Sequence, residues 1–364
     1  ADTRRLIHQL GDGANDRARP RRHDHTLAIT SDHSSHHVRH IDGSILAVAG
    51  VLPAAIAANA RDLGLICPKA SGAEAAWAGG GRDLFFGAKG IEQYLSGIIL
   101  FSESFLEKGD DTELFPASLA ARGILPGVKV DLGTEPFPAS PGELITHGLL
   151  DLSERLAEYK KQGATFTKWR ACMRIDGDRL PTAVAIHENA KRLASYAKEV
   201  QMAGLVPILE PEVLYKGAHS RQRARVVITQ TLGVLFSVLK EHSVDRASVI
   251  LKTSMVLSGD ASGKKDTPEE VAEDTLAALT ESVPRQVAGI VFLSGGQTPD
   301  QATENLAAIT KRAKNAQVPW PFTFSYARAL QEEALSIWKG KEENVPAARA
   351  SFLSRLAKVS VALG

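Results

Sequence analysis

The chain is poor in cysteine: among 364 residues there are two, Cys67 and Cys172. Two are too few for a disulfide framework, and they fit a reducing compartment. Long apolar runs are missing as well. No stretch is long enough to span a bilayer, and the opening Ala1-Asp2-Thr3-Arg4-Arg5 leads into no apolar secretory core. Neither sign of charge is in excess, since 43 Lys and Arg face 42 Asp and Glu for a formal net charge of +1. That balance argues against a nucleic-acid or membrane-surface partner. No Gly-x-Gly-x-x-Gly follows the first apolar run, so the dinucleotide fingerprint of an open doubly wound sheet is absent. The expectation is a soluble, cytoplasmic, globular protein. With 44% hydrophobic residues it has enough material for one large domain or two ordinary ones.

What is present is a succession of short apolar runs: GIILF at 97–101, GVKVD at 127–131, FTKWR at 166–170, VPILEP at 206–211, SVILKT at 248–253, GIVFLS at 289–294 and PFTFSY at 321–326. Their starts recur roughly every 30–40 residues, the length of a strand–helix unit. An earlier run, SILAVA at 44–49, supplies an eighth strand. Few polar residues alternate within these runs, as in a parallel sheet covered by helices. The segments between them carry helix signals. Thr267-Pro268-Glu269-Glu270 and Thr298-Pro299-Asp300-Gln301 each place Thr at the cap, Pro at the first helical position and Glu or Gln at the capping-box position. Residues 143–162 and 181–203 have helical spacing. Eight such units predict an α/β fold, a closed (β/α)8 TIM barrel over residues 43–364 with a C-terminal helix.

Residues 1–42 differ in kind. They hold seven of the 11 histidines and an Arg-rich run at 17–22, with no clear period. A histidine metal site is one reading; a mobile extension is the preferred one. Residues 68–90 are rich in Gly and Ala, including Gly79-Gly80-Gly81.

Side chains at i and i+2 of a strand share a side. Lys129 and Asp131, Lys168 and Arg170, and Glu210 and Glu212 are three such charged pairs, and Lys252 closes a fourth run. Each pair alone reads as a surface salt bridge. Four neighbouring strands doing the same converge on one barrel mouth, where active sites lie. Cations beside carboxylates suit an anionic substrate and acid–base work. Lys168 close to Lys252 would depress one ammonium by like-charge repulsion, which is what a Schiff-base lysine needs. Mutual repulsion would likewise separate Glu210 from Glu212. The last two runs end differently, in Ser294-Gly295-Gly296 and in Ser325-Tyr326-Ala327-Arg328. Backbone N–H groups at a helix start together with Arg328 make a phosphate site; a simple tight turn is the alternative for the glycines.

The motifs GIILF, GVKVD, EYKKQGATFTKWR, VPILEPE, VILKTSMV, FLSGGQ and FSYARALQ, in this order over about 95–355, resemble class I fructose-1,6-bisphosphate aldolases, in their bacterial-type form. The resemblance implies reversible cleavage of fructose 1,6-bisphosphate to dihydroxyacetone phosphate and glyceraldehyde 3-phosphate. It also implies a homotetramer and a lysine Schiff base needing no metal or other cofactor. Lys252 would form the imine, and Glu210 would be the general acid/base of carbinolamine dehydration. Glu212 and Lys168 would support them, and Lys129 and Arg170 would contact substrate and phosphate. Asp131 belongs to the same strand-end group. Ser294, Gly295, Ala327 and Arg328 would hold the phosphate of the ketone half, Ala327 standing where many members have Gly. The first quarter departs from the family: where its first strand has an Asp that helps carbon–carbon cleavage, this chain has Ala49. That residue supports a second reading, a catalytically impaired phosphosugar-binding or scaffold protein. A transaldolase-like enzyme is a third, against which the phosphate motif and the Glu210/Glu212 pair both speak.

Overall fold

A computed structural model describes residues 46–47, 82–106 and 113–364. The expectations for residues 1–42, for Ala49 and for most of 68–90 lie outside the described residues.

The strands in chain order are β1 (Leu46–Ala47), β2 (Gly97–Leu100), β3 (Leu125–Lys129), β4 (Thr134–Pro136), β5 (Leu144–Thr146), β6 (Phe166–Met173), β7 (Val206–Val213), β8 (Ile250–Thr253), β9 (Gly289–Phe292) and β10 (Phe322–Phe324). The helices are α1 (Arg82–Phe86), α2 (Ser102–Phe105), α3 (Phe115–Ala121), α4 (Leu152–Lys161), α5 (Ala183–Met202), α6 (Arg221–Glu241), α7 (Pro268–Ser282), α8 (Pro299–Ala316), α9 (Arg328–Trp338) and α10 (Val345–Val361). The main sheet runs β1-β2-β3-β6-β7-β8-β9-β10. From β2 to β10 every pairing in it is parallel. Sequential parallel strands with a helical return after each are the (β/α)8-barrel architecture.

Three expectations change. The run at 44–49 pairs over Leu46–Ala47 alone and runs antiparallel to β2, with Leu46 opposite Ile99. An all-apolar run of Ile, Leu, Ala and Val carries no asymmetry that sets strand direction. The helix expected over 143–162 begins only at Leu152, and Leu144–Thr146 instead pairs with Thr134–Pro136 as a hairpin. Gly148 stops the helix: it has φ +122°, and a Cβ there would lie 2.9 Å from the Leu132 nitrogen. Strands β6 and β7 run on past the charged pairs to Met173 and Val213, so those charges sit within the strands rather than at their ends.

The capping signals are expressed. Thr267 and Glu270 form the reciprocal capping box with Pro268 in the first turn, and Thr298 accepts from the Gln301 nitrogen. Among the described residues no helix is long and apolar enough to cross a membrane.

Two apolar layers hold the fold. The larger lies between sheet and helices and includes Leu193, Leu232, Leu276 and Leu306. The smaller gathers Ile99, Phe166, Val206, Ile208, Ile250 and Val291. Phe166, Ile208 and Ile250 precede Lys168, Glu210 and Lys252 by two residues, so this plug floors the charged layer. Gly127 makes room for it: a Cβ there would sit 2.2 Å from the Phe166 ring. Gly127→Val is expected to lower stability by about 3 kcal/mol, the upper range for overpacking. In urea unfolding the midpoint should fall with an unchanged slope; an unaltered midpoint would remove the packing argument.

Candidate active site

Period-2 alternation carries each charged side chain upward from the apolar plug. On β6 the side chains of Phe166, Lys168 and Arg170 follow one another on one side, and on β7 those of Ile208, Glu210 and Glu212. The register sets Arg170 opposite Glu210, and Lys129 of β3 opposite Lys168. The pairing of Leu209 with Leu251 brings Glu210 alongside Lys252.

The result is a chain of alternating charges. Lys252 Nζ lies 3.0 Å from Glu210 Oε1. Lys168 Nζ lies 2.9 Å from Glu210 Oε2 and 3.9 Å from Asp131 Oδ2. The Lys168–Glu210 contact is an ion pair set off the hydrogen-bonding direction, since Oε2 has no aligned donor. Lys129 Nζ sits 2.7 Å from Asp131 Oδ1 and donates to the Asp131 carbonyl at 2.9 Å. Asp131 also accepts from the Arg170 and Gly133 backbone nitrogens. Arg170 Nε donates to Glu212 Oε2 at 2.6 Å. Lys168, Glu210 and Lys252 are 3%, 3% and 4% exposed, so solvent does little to screen them.

Burial works against each of these charges, and in the two following cases the neighbours win. At Glu210 burial raises the carboxyl pKa, yet Lys168, Lys252 and Arg170 bring it down to about 2. At Lys168 burial lowers the ammonium's pKa, yet Glu210 and then Asp131 turn the net shift upward. Lys168 is not the ammonium that like-charge repulsion depresses, because Glu210 lies between it and Lys252. The cations set Glu210's shift, rather than repulsion from Glu212. Arg170 is likewise held protonated, burial opposing and Glu212 outweighing it.

Ser294, Gly295, Ala327 and Arg328 form a neighbouring group at the ends of β9 and β10. Gly295 and Gly296 have φ of +59° and +100°, a turn that favours glycine. A Cβ on Gly296 would lie 3.6 Å from Arg328 Nη2, so the guanidinium reaches over the turn. Ala327 starts α9 with no side-chain cap, leaving the first-turn N–H groups without that partner. The two groups are adjacent through the pairing of Lys252 with Val291.

Three contributors carry no signal among the charged pairs of the sequence. Cys172 follows Arg170 by two residues on the same side. Burial pushes its thiol up to about 12 against the pull of Arg170, so it stays protonated. Ser254, two residues past Lys252, accepts from the Val213 nitrogen at 3.1 Å and donates to the Val213 carbonyl at 2.9 Å, tying the end of β7 to the exit of β8. Extending the period-2 rule by one step finds both. Thr146, on the hairpin, donates to the Arg170 carbonyl at 2.7 Å. Its role is hidden in a segment whose spacing reads as helix.

A parallel (β/α)8 barrel with a lysine–carboxylate–lysine chain buried at its mouth is an enzyme scaffold for small anionic molecules. The family model for glycolytic class-I fructose-bisphosphate aldolase matches residues 80–363, and the chain belongs to that family. Cytosolic fructose-bisphosphate aldolase 4 of Arabidopsis thaliana is 44% identical over 274 residues, covering 75% of this chain and 69% of that protein. Fructose-bisphosphate aldolase B of Gallus gallus is 43% identical over 272 residues, 75% of this chain and 74% of its own length. A solved fructose-bisphosphate aldolase of Plasmodium falciparum, in a ternary complex with TRAP and a small-molecule inhibitor, is also similar. It matches with a TM-score of 0.75 at 41% identity, over 78% of this chain and 81% of that one.

Proposed function

We propose that this aldolase cleaves fructose 1,6-bisphosphate reversibly to dihydroxyacetone phosphate and glyceraldehyde 3-phosphate through an imine on Lys252. The observation that carries the reading is the 3.0 Å contact between Lys252 Nζ and a Glu210 carboxylate that is ionised at neutral pH. Glu210 takes a proton from the Lys252 ammonium and frees the amine. The amine adds to the substrate's ketone carbon, and the carbonyl oxygen becomes the carbinolamine hydroxyl. Glu210, now protonated, delivers its proton to that hydroxyl, which leaves as water and yields the iminium. When the C3–C4 bond breaks, its electron pair flows to the iminium nitrogen as an enamine, and the C4 hydroxyl gives its proton to the Glu210 carboxylate regenerated in the dehydration, becoming the aldehyde. The iminium is the electron sink, so the step asks for no metal.

Lys168 balances Glu210 throughout. Arg170, fixed by Glu212, and Lys129, fixed by Asp131, offer cationic contacts to the substrate. Ser294, Gly295, Ala327 and Arg328 take the phosphate of the ketone half. A homotetramer and a cytoplasmic setting belong to the same reading; the low cysteine content and the cytosolic plant relative support the latter. The binding-only alternative rests on Ala49, outside the described residues. The assembled charge chain and the match over residues 80–363 favour the enzyme.

The test is reduction with borohydride in the presence of dihydroxyacetone phosphate, followed by peptide mass spectrometry, alongside a cleavage assay. The expected result is an adduct on Lys252 and release of triose phosphates. An adduct-free Lys252 would end the imine reading. An adduct without cleavage would mean that Ala49 is decisive and the chain binds without turning over.

A further inference from the structure

The loop after β7 and the loop after β8 are laced together beside the phosphate turn. Gly259 donates to the His219 carbonyl at 2.9 Å, Asp260 to the Tyr215 carbonyl at 3.1 Å and Ala261 to the Gly217 carbonyl at 2.8 Å. The Gly217 nitrogen donates to Asp260 Oδ1 at 2.8 Å. The contact is close enough that a Cβ on Gly259 would lie 2.1 Å from the Gly217 oxygen. Tyr215 reaches on toward the next loop, its ring edge 3.5 Å from where a Gly296 Cβ would stand, on a glycine that Arg328 also approaches. The clasp therefore joins the strands bearing Glu212 and Lys252 to the turn at residues 294–296.

Inside the clasp is a cavity lined by Tyr215, His219, Ser254, Leu293, Gly295 and Gln297, among others. It offers about 10 Å³ to the centre of a water molecule, which is close to the room one water needs. His219 is 9% exposed and lines it. Burial is the largest influence on the ring and holds the imidazole's pKa below its ordinary value, against the opposing pull of Asp260 and of the Leu257 backbone. Nδ1 is buried with no hydrogen-bond partner in the protein. In a neutral ring protonated on Nε2, Nδ1 is an acceptor. A buried acceptor of this kind is costly to leave unpaired.

We propose that His219 is a positioning residue for the phosphate-binding turn: Nδ1 accepts a hydrogen bond from one water seated in this cavity, and that water ties the Gly295 segment to the β7–β8 clasp. The proposal rests on the reading of residues 294–296 and Arg328 as the phosphate site. It adds to that site a residue that never touches substrate. Loosening it weakens recognition of the phosphate and leaves the chemistry at Lys252 untouched.

Borohydride trapping with two ketones separates these effects, because dihydroxyacetone phosphate uses the phosphate site and dihydroxyacetone does not. For His219→Leu, the half-saturating concentration of dihydroxyacetone phosphate is expected to rise about tenfold, the loss of one water-mediated bond. The value for dihydroxyacetone stays as in the wild type. His219→Asn, which returns a polar atom near the Nδ1 position, recovers most of the difference. Arg328→Ala is the control on the parent reading. If it too fails to weaken dihydroxyacetone phosphate, the phosphate site is misassigned and the inference falls with it. If Arg328→Ala weakens it but His219→Leu shifts both ketones alike, or neither, the inference alone is overturned. A high-resolution crystal structure of the unaltered protein gives a readout independent of variant folding: a water within hydrogen-bonding distance of Nδ1 is required, and its absence is contrary.

Discussion

Lys252→Met is expected to reduce aldol cleavage by on the order of 10⁴-fold or more while the protein remains folded. Lys252 and Lys168 flank one carboxylate at 3.0 and 2.9 Å, so distance alone does not choose the nucleophile. Electrostatics does. Lys168 lies between Glu210 and Asp131 and its pKa is raised, so it keeps its proton and serves as a fixed cation. Methionine keeps an unbranched side chain of similar length in a site that is 4% exposed. Glu210 retains Lys168 as its partner, so no carboxylate is stranded. Far-ultraviolet circular dichroism and the thermal midpoint should therefore stay close to the wild type. Cleavage above about one hundredth of the wild-type rate would assign the imine to Lys168 and exchange the roles of the two lysines.

The charged layer was legible from the sequence because a strand's two-residue period needs no tertiary information. Lys129 and Asp131, Lys168 and Arg170, Glu210 and Glu212 fall on one side whatever the barrel's curvature, and the structure brings all six together with Lys252. Their pairing was not legible, because it depends on register between strands. The offset that sets Arg170 opposite Glu210 leaves Lys168 to reach Glu210 diagonally. That offset puts a carboxylate between two lysines, so the pKa of Lys168 goes up rather than down. The β4–β5 hairpin was hidden for a different reason. Its strands are three residues each, and a backbone contact between Gly148 and Leu132 ends the helical reading of the segment. The direction of β1 was beyond reach because every residue at 45–49 is apolar, so either orientation buries the same surface. Thr267 and Thr298 lie at the opposite extreme: a cap is satisfied by its own first turn, and both are found where the sequence put them.

Glu210→Gln is expected to lower kcat by about 10²–10⁴, the usual loss on removing a general acid–base, and to make stability rise with pH where that of the wild type is level. In the wild type Glu210 has a folded pKa of about 2 against an ordinary value of 4.5. A depressed carboxyl stabilises the fold at pH above 4.5 and loses that contribution as the pH falls toward 2. The shift corresponds to about 3 kcal/mol. Lys168, with its pKa raised, contributes the same pairing seen from the cation. That contribution is complete below pH 10.5 and is lost as the pH rises through the higher folded value. The wild type should thus hold a plateau across neutral pH. Glutamine removes the negative charge and leaves two buried ammoniums facing a neutral amide, with Asp131 the nearer remaining carboxylate for Lys168 at 3.9 Å. Breaking a buried pair on one side costs about 3–5 kcal/mol at neutral pH. The strain is relieved when one ammonium gives up its proton. The variant should therefore become more stable from pH 5 to pH 9 in urea unfolding, while the wild type stays level. A variant that parallels the wild type across that range would show that Glu210 does not hold the two lysines together. The proton relay to Lys252 would then lose its physical basis.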